Sequence, residues 1–231
     1  MFFDFKFWHF LTNPHQLANQ LENSSMRGFK KRVLFIAFFG VLLFAVRDIW
    51  GMNTESITAL LSTMTTTDYT IARYVSVLGA LMWALMYMAF HFFGFAYILS
   101  RLTAIPFKKL LPLQLLVTGI LLLEKAVLLL VFTMKGATTS VSFLSFGPLA
   151  LTFLDSWYII LFLNQLTVTT ALIIALQSRF IGAYTGHTER KGFIWILIGI
   201  HVAMALIVAA IGFIPLESLF HSFVEGGVGS E

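Results

Sequence analysis

The chain has 231 residues, 58% hydrophobic and 11% charged, with 25 phenylalanines and a mean hydropathy of +0.87, where soluble domains carry about 25% charged residues. This composition excludes an ordinary soluble domain and points to an integral membrane protein. The formal charge is +4 and there is no cysteine, so a disulfide framework, a thiol nucleophile and a thiolate metal site are all excluded.

In chain order, residues 1–32 come first and divide at Pro14. "MFFDFKFWHF" mixes phenylalanine and tryptophan with Asp4, Lys6 and His9; it is too short to cross a bilayer and has the character of an aromatic segment lying in the interface plane. "NPHQLANQLENSS" reads as a helix with Asn13 at the N-cap and Pro14 at the first helical position, where a missing N–H costs nothing. The basic "RGFKKR" then leads into the first span, so that Trp8, Lys30, Lys31 and Arg32 form an interfacial anchor among lipid headgroups. This segment serves as a membrane-lying anchor or as a docking surface for a partner. It lacks the basic start, apolar core and cleavage site of a signal peptide.

A spanning helix needs about 20 mainly apolar residues to cross about 30 Å of hydrocarbon. Five stretches between residues 33 and 214 are expected to do so: Val33–Trp50, Tyr74–Ser100, Leu110–Met134, Trp157–Ser178 and Phe193–Ile214. The first crosses only if Arg47 and Asp48 lie near an interface or are paired within the protein. Pro106 and Pro112 bracket the entry to the third, and Pro215 ends the fifth. The expected fold is thus an all-α, polytopic, five-helix domain over 33–214 with a short tail at 215–231. Eleven Lys and Arg residues fall on one side of these spans and three on the other. By the positive-inside rule, the N-terminus faces the cytoplasm and the C-terminus the outside.

The asparagine-proline lead, the basic turn and the five closely spaced spans resemble the bacterial branch of the Yip family of Ypt-interacting-protein-type membrane proteins, its YknW-like group in particular. The acidic-leucine-tyrosine-glycine-proline signature of eukaryotic members is missing. The resemblance implies an accessory protein of the bacterial cell membrane whose partners are ABC transporter subunits, some concerned with defence against toxic peptides, another membrane protein, or a second copy of itself. Neither nucleic acid nor a cofactor is expected. The phosphate-cradling, zinc-protease and nucleophile-elbow motifs are also absent from the sequence, so no enzymatic activity is expected.

"ILLLEKAVLLL" sets Glu124 and Lys125 amid leucines. An unpaired charge at that depth costs about 2.5–3.5 kcal/mol even on insertion scales, and neighbours on a helix diverge by about 100°, so each is expected to find a partner elsewhere. Counted at about 1.5 Å per residue from the helix ends, Arg47 and Asp48 on the first span and Asn164 and Gln165 on the fourth reach the same level, about 20–22 Å in. The expectation is an intramembrane polar layer in which Glu124 meets Arg47 and Lys125 meets Asp48 or the two amides. Such a layer fixes helix register, or it lines a wet cavity for a ligand, proton or partner span. His91 and His201 repeat the question at about 12–13 Å, as a structural pair or a proton step. Gly199 and Ala203 on the fifth span have the small-xxx-small spacing that admits a close neighbour.

Overall fold

Inside hydrocarbon every backbone polar group must be satisfied within its own segment, and helices do this for a chain so apolar. Helices dominate the computed structural model, which describes residues 2–52, 54, 65–136, 141–186 and 190–214. Those helices are α1 (Phe7–Thr12), α2 (Pro14–Asn23), α3 (Phe29–Ile49), α4 (Thr66–Leu102), α5 (Phe107–Lys135), α6 (Gly147–Phe153), α7 (Trp157–Gln165), α8 (Val168–Tyr184) and α9 (Arg190–Phe213). Two short strands, β1 (Phe2–Phe3) and β2 (Ser25–Met26), pair in parallel and tie the lead to the residues before α3.

Helices α4, α5 and Gly192–Phe213 of α9 are long and apolar enough to cross a membrane, so the chain is an all-α membrane protein. The other two expected spans depart from the simple picture. α3 begins four residues early because Gly28, at φ +68°, turns the chain directly into it. Lys30, Lys31 and Arg32 therefore occupy its first turn, with Arg47 and Asp48 near its other end.

The fourth span is divided. α7 stops at Gln165, Leu166 is extended (φ −87°, ψ 91°), and α8 starts at Val168. Side chains that compete for backbone hydrogen bonds explain the break. The Thr167 hydroxyl accepts from the Thr170 N–H at 3.1 Å, as an N-cap does, and Ser145 bridges to Thr167 as an antiparallel partner.

The chain forms two compact units, Met1–Ser140 with Leu172–Trp195, and Val141–Ala171 with Ile196–Glu231. In the first, α5 is the centre: half of its apolar window is buried within the chain, against 17% for the corresponding windows of α4 and α9. α3 packs on both α4 and α5 through Leu43, Phe44, Ala84, Met88 and Leu122. The crossing is close because Gly40 has no side chain; a Cβ there would collide with Met88 Sδ and stand 3.1 Å from Leu122 Cδ1.

α4 starts earlier than its apolar run predicts. Thr65 and Asp68 form a reciprocal cap, the Thr65 hydroxyl accepting from the Asp68 N–H at 3.2 Å and donating to its carboxylate at 2.7 Å. Near its far end α4 widens into a π turn over Phe90–Gly94, which turns Phe92 into the core against Met26 and Leu115. α5 likewise starts before its expected entry, so Pro112 lies inside the helix instead of ahead of it.

In the second unit α6 and α7 pack together around Val141, Ala150 and Ile160. The Tyr158 hydroxyl donates to the Leu206 carbonyl at 3.3 Å, and its ring meets Phe213 edge-on.

Filling the close crossing is expected to destabilise the first unit. Gly40→Leu should cost about 1–3 kcal/mol through overpacking, whereas Gly79→Leu on α4, where nothing stands within 4 Å of a Cβ among the described residues, should leave the thermal midpoint unchanged or higher. Fluorescence-detected thermal unfolding in one detergent compares the two.

Candidate functional site

The predicted polar layer is best followed helix by helix. Ile36 reaches toward Gly119 and Gly40 toward Leu122, so α3 and α5 are in register with an offset of about one turn from a count that starts at their ends. Seven residues beyond Gly40, Arg47 stands about one turn past Glu124 along the bundle. The Glu124 carboxylate nonetheless lies within electrostatic reach of Arg47, Tyr87 and Lys125.

Glu124 is buried. Its carboxylate pairs with the ammonium of its own neighbour, Lys125 Nζ to Glu124 Oε1 at 4.0 Å. The expectation that adjacent positions on a helix cannot meet is corrected here: the Cβ vectors diverge, but the long lysine stem turns back far enough to close the gap. Arg47 covers the Phe44 ring, its guanidinium carbon 5.5 Å from the centroid, a cation–π contact that keeps a charged head over an apolar surface.

Asp48 is engaged by α4. Its Oδ1 accepts from the Ser76 hydroxyl at 2.8 Å, and the Arg73 guanidinium donates to the carbonyls of Asp48 (2.8 Å) and Ile49 (3.3 Å). Those carbonyls are the loose end of α3, so Arg73 caps the helix and sets a positive charge at its negative pole. Arg73 and Ser76 are site residues that the sequence reading missed. Their spacing on one face of α4 was the available signal.

Asn164 and Gln165 belong to the second unit. The Asn164 Oδ1 accepts from the Ser142 N–H at 2.8 Å and the Ser145 hydroxyl at 2.9 Å, and the Gln165 carbonyl accepts from the Thr170 hydroxyl at 3.3 Å. The amide thus holds the segment before α6 against the break between α7 and α8. The histidines also fall into different units. His91 sits in the π turn with its ring 4.5 Å from that of Tyr87, and His201 is 2.9 Å from the Leu197 carbonyl one turn back on α9.

The aromatic lead is folded onto α5. Phe10 is buried against Phe3 and Phe5, and the Phe7 ring lies over Gly119, where a Cβ would come within 2.6 Å of it. Arg32 donates to the Phe5 carbonyl and stacks over its ring at 5.5 Å; Trp8, Lys30 and Lys31 remain exposed. Pro14 opens α2 as expected, while the Asn13 amide donates to the Thr12 hydroxyl instead of capping the helix. Lys109 closes the other end of α2 by donating to the carbonyls of Leu21 and Glu22.

Two outcomes follow for unfolding measurements. Glu124→Leu leaves the Lys125 ammonium without its counter-charge and should cost about 3–5 kcal/mol, much of which the Glu124→Leu/Lys125→Leu double variant recovers. Asn164→Leu strands a buried donor at Ser142 and should cost about 1–3 kcal/mol. No protein-family model, no curated protein and no solved structure matches the chain.

Proposed function

We propose that the protein is a non-enzymatic, multi-pass accessory protein of the bacterial cell membrane, N-terminus in the cytoplasm and C-terminus outside, that binds and modulates a partner membrane complex. One observation carries this reading. The Gly199 and Ala203 face of α9 is turned outward: no described atom beyond the helix itself stands within 4 Å of a Cβ at Gly199, and Ala203 is exposed. Lipid tails give small residues no advantage over leucine, so an outward glycine on a spanning helix is useful where another backbone comes close. The Yip resemblance supplies the candidate partner, an ABC exporter concerned with export of, or resistance to, toxic peptides.

A second reading, a small stand-alone transporter or a sensor of a ligand or proton, is favoured by the divided fourth span, because interrupted helices near the bilayer midplane are a feature of transporter binding sites. The buried Glu124 and Lys125 charges supply the polar layer such a protein would use.

The two separate in a mild-detergent pull-down from native membranes, read by mass spectrometry. The accessory reading expects a transporter subunit with the intact chain and its loss with Gly199→Leu, a substitution that touches no described neighbour. Recovery of the protein alone would overturn it in favour of the second. Loss of the partner with Glu124→Gln as well would give the charge pair a part in the association.

A further inference from the structure

Four neutral polar side chains in the first unit are buried yet have no hydrogen-bond partner among the described residues. Gln114 and Thr118 lie on α5, one turn apart on one face; Gln177 and Ser178 lie on α8. All four are at most 3% exposed, and both amide atoms of each glutamine and both hydroxyls are unpartnered.

Their position is common as well as their chemistry. The end of the first unit is marked by Lys109, bound to the carbonyls of Leu21 and Glu22, and by Tyr184, which lies within electrostatic reach of Glu22. Gln114 and Thr118 stand about 7 and 13 Å in from Lys109, and Ser178 and Gln177 about 9 and 10 Å in from Tyr184, at 1.5 Å per residue. The four groups occupy one layer. Gln20 of α2, beside the Lys109 contact, adds a buried and unpartnered amide oxygen at its edge.

Hydroxyls on helices have an easy escape from this condition, a bond to the carbonyl four residues back. Thr103 and Thr185 take it, each donating at 2.8 Å to Leu99 and Ile181. Thr118 and Ser178 do not, so their hydroxyls are available to something else. Six orphaned donors and acceptors left dry would together cost an amount comparable to the whole stability of a typical domain, whereas buried water characteristically bonds to two to four such groups at once.

We propose that Gln114, Thr118, Gln177 and Ser178 form a hydrated site inside the bundle that binds ordered water. The site is uncharged, and each of its side chains both donates and accepts, which suits water and offers no counter-charge to an ion. It is distinct from the Glu124 and Lys125 pair, and it is independent of the partner-binding reading.

The test uses the intact protein in detergent. X-ray radiolysis generates hydroxyl radicals from bound water, so side chains beside the site are oxidised despite their burial. Oxidation is expected at Leu113, Val117, Phe180 and Ile181, and at background level at Leu122, which is equally buried in the apolar cluster of Leu43, Phe44, Ala84 and Met88. Background oxidation at all five positions would overturn the proposal. Near-isosteric Gln114→Leu and Gln177→Leu give an independent sign. Loss of water-bonded amides should lower the thermal midpoint by roughly 2–4 °C or more, whereas a raised midpoint would mean that the amides are dry orphans and would overturn it equally.

Discussion

The first unit depends on how near other segments come to α5. Two glycines set that distance. Gly40 lets α3 settle between Met88 and Leu122, and Gly119 on α5 itself receives the Phe7 ring. In hydrocarbon, helices gain little from hiding apolar surface from one another, because lipid is as apolar as leucine; contact area and complementary shape decide the association. Close approach at these two points therefore fixes the register of α3 on α5 and, through it, which polar residues share a level.

That register explains how the charges are held. A carboxylate and an ammonium on neighbouring residues make a poor pair by direction, yet they carry no net charge as a unit, and the cost of burying them falls accordingly. Arg47 sits a turn away over the Phe44 face, and Arg73 is committed to the carbonyl end of α3. The outer ends of α3 and α4 are thus stitched by a cationic cap and a Ser76–Asp48 bond, while Glu124 and Lys125 neutralise each other deeper in. The arginines serve helix ends and the lysine serves its neighbour.

Much of this was legible in the sequence, and what was not has a physical cause. Long apolar runs gave α4, α5 and α9 directly, since twenty such residues have one solution in lipid. The division of the fourth span was not legible from hydropathy, because Leu166 is as apolar as its neighbours. Its signal was local and chemical: Asn164 followed by Thr167 and Thr170, side chains that satisfy backbone groups outside a helix. Nor could counting from helix ends place Arg47 against Glu124, because the true starts of α3 and α5 were set by Gly28 and Pro106 and not by where the apolar run began. The aromatic lead was misjudged for a similar reason. Its phenylalanines read as an interfacial face, but a glycine on α5 and an arginine on α3 draw them onto the bundle.

The polar groups sort themselves by type in a way that bears on function. Charged side chains lie where a helix end or an opposite charge can answer them, at the caps of α2 and α3 and at the Glu124–Lys125 pair. Neutral amides and hydroxyls take the interior, either closing a backbone break, as Asn164 does, or lying unanswered, as Gln114 and Gln177 do. A bundle whose polar interior served only to fix register would gain nothing from unanswered amides, because an apolar residue of the same size packs as well without the desolvation cost. Their burial beside hydroxyls that decline the usual bond to their own helix makes the interior of the first unit a place where hydrogen-bonding matter other than protein belongs.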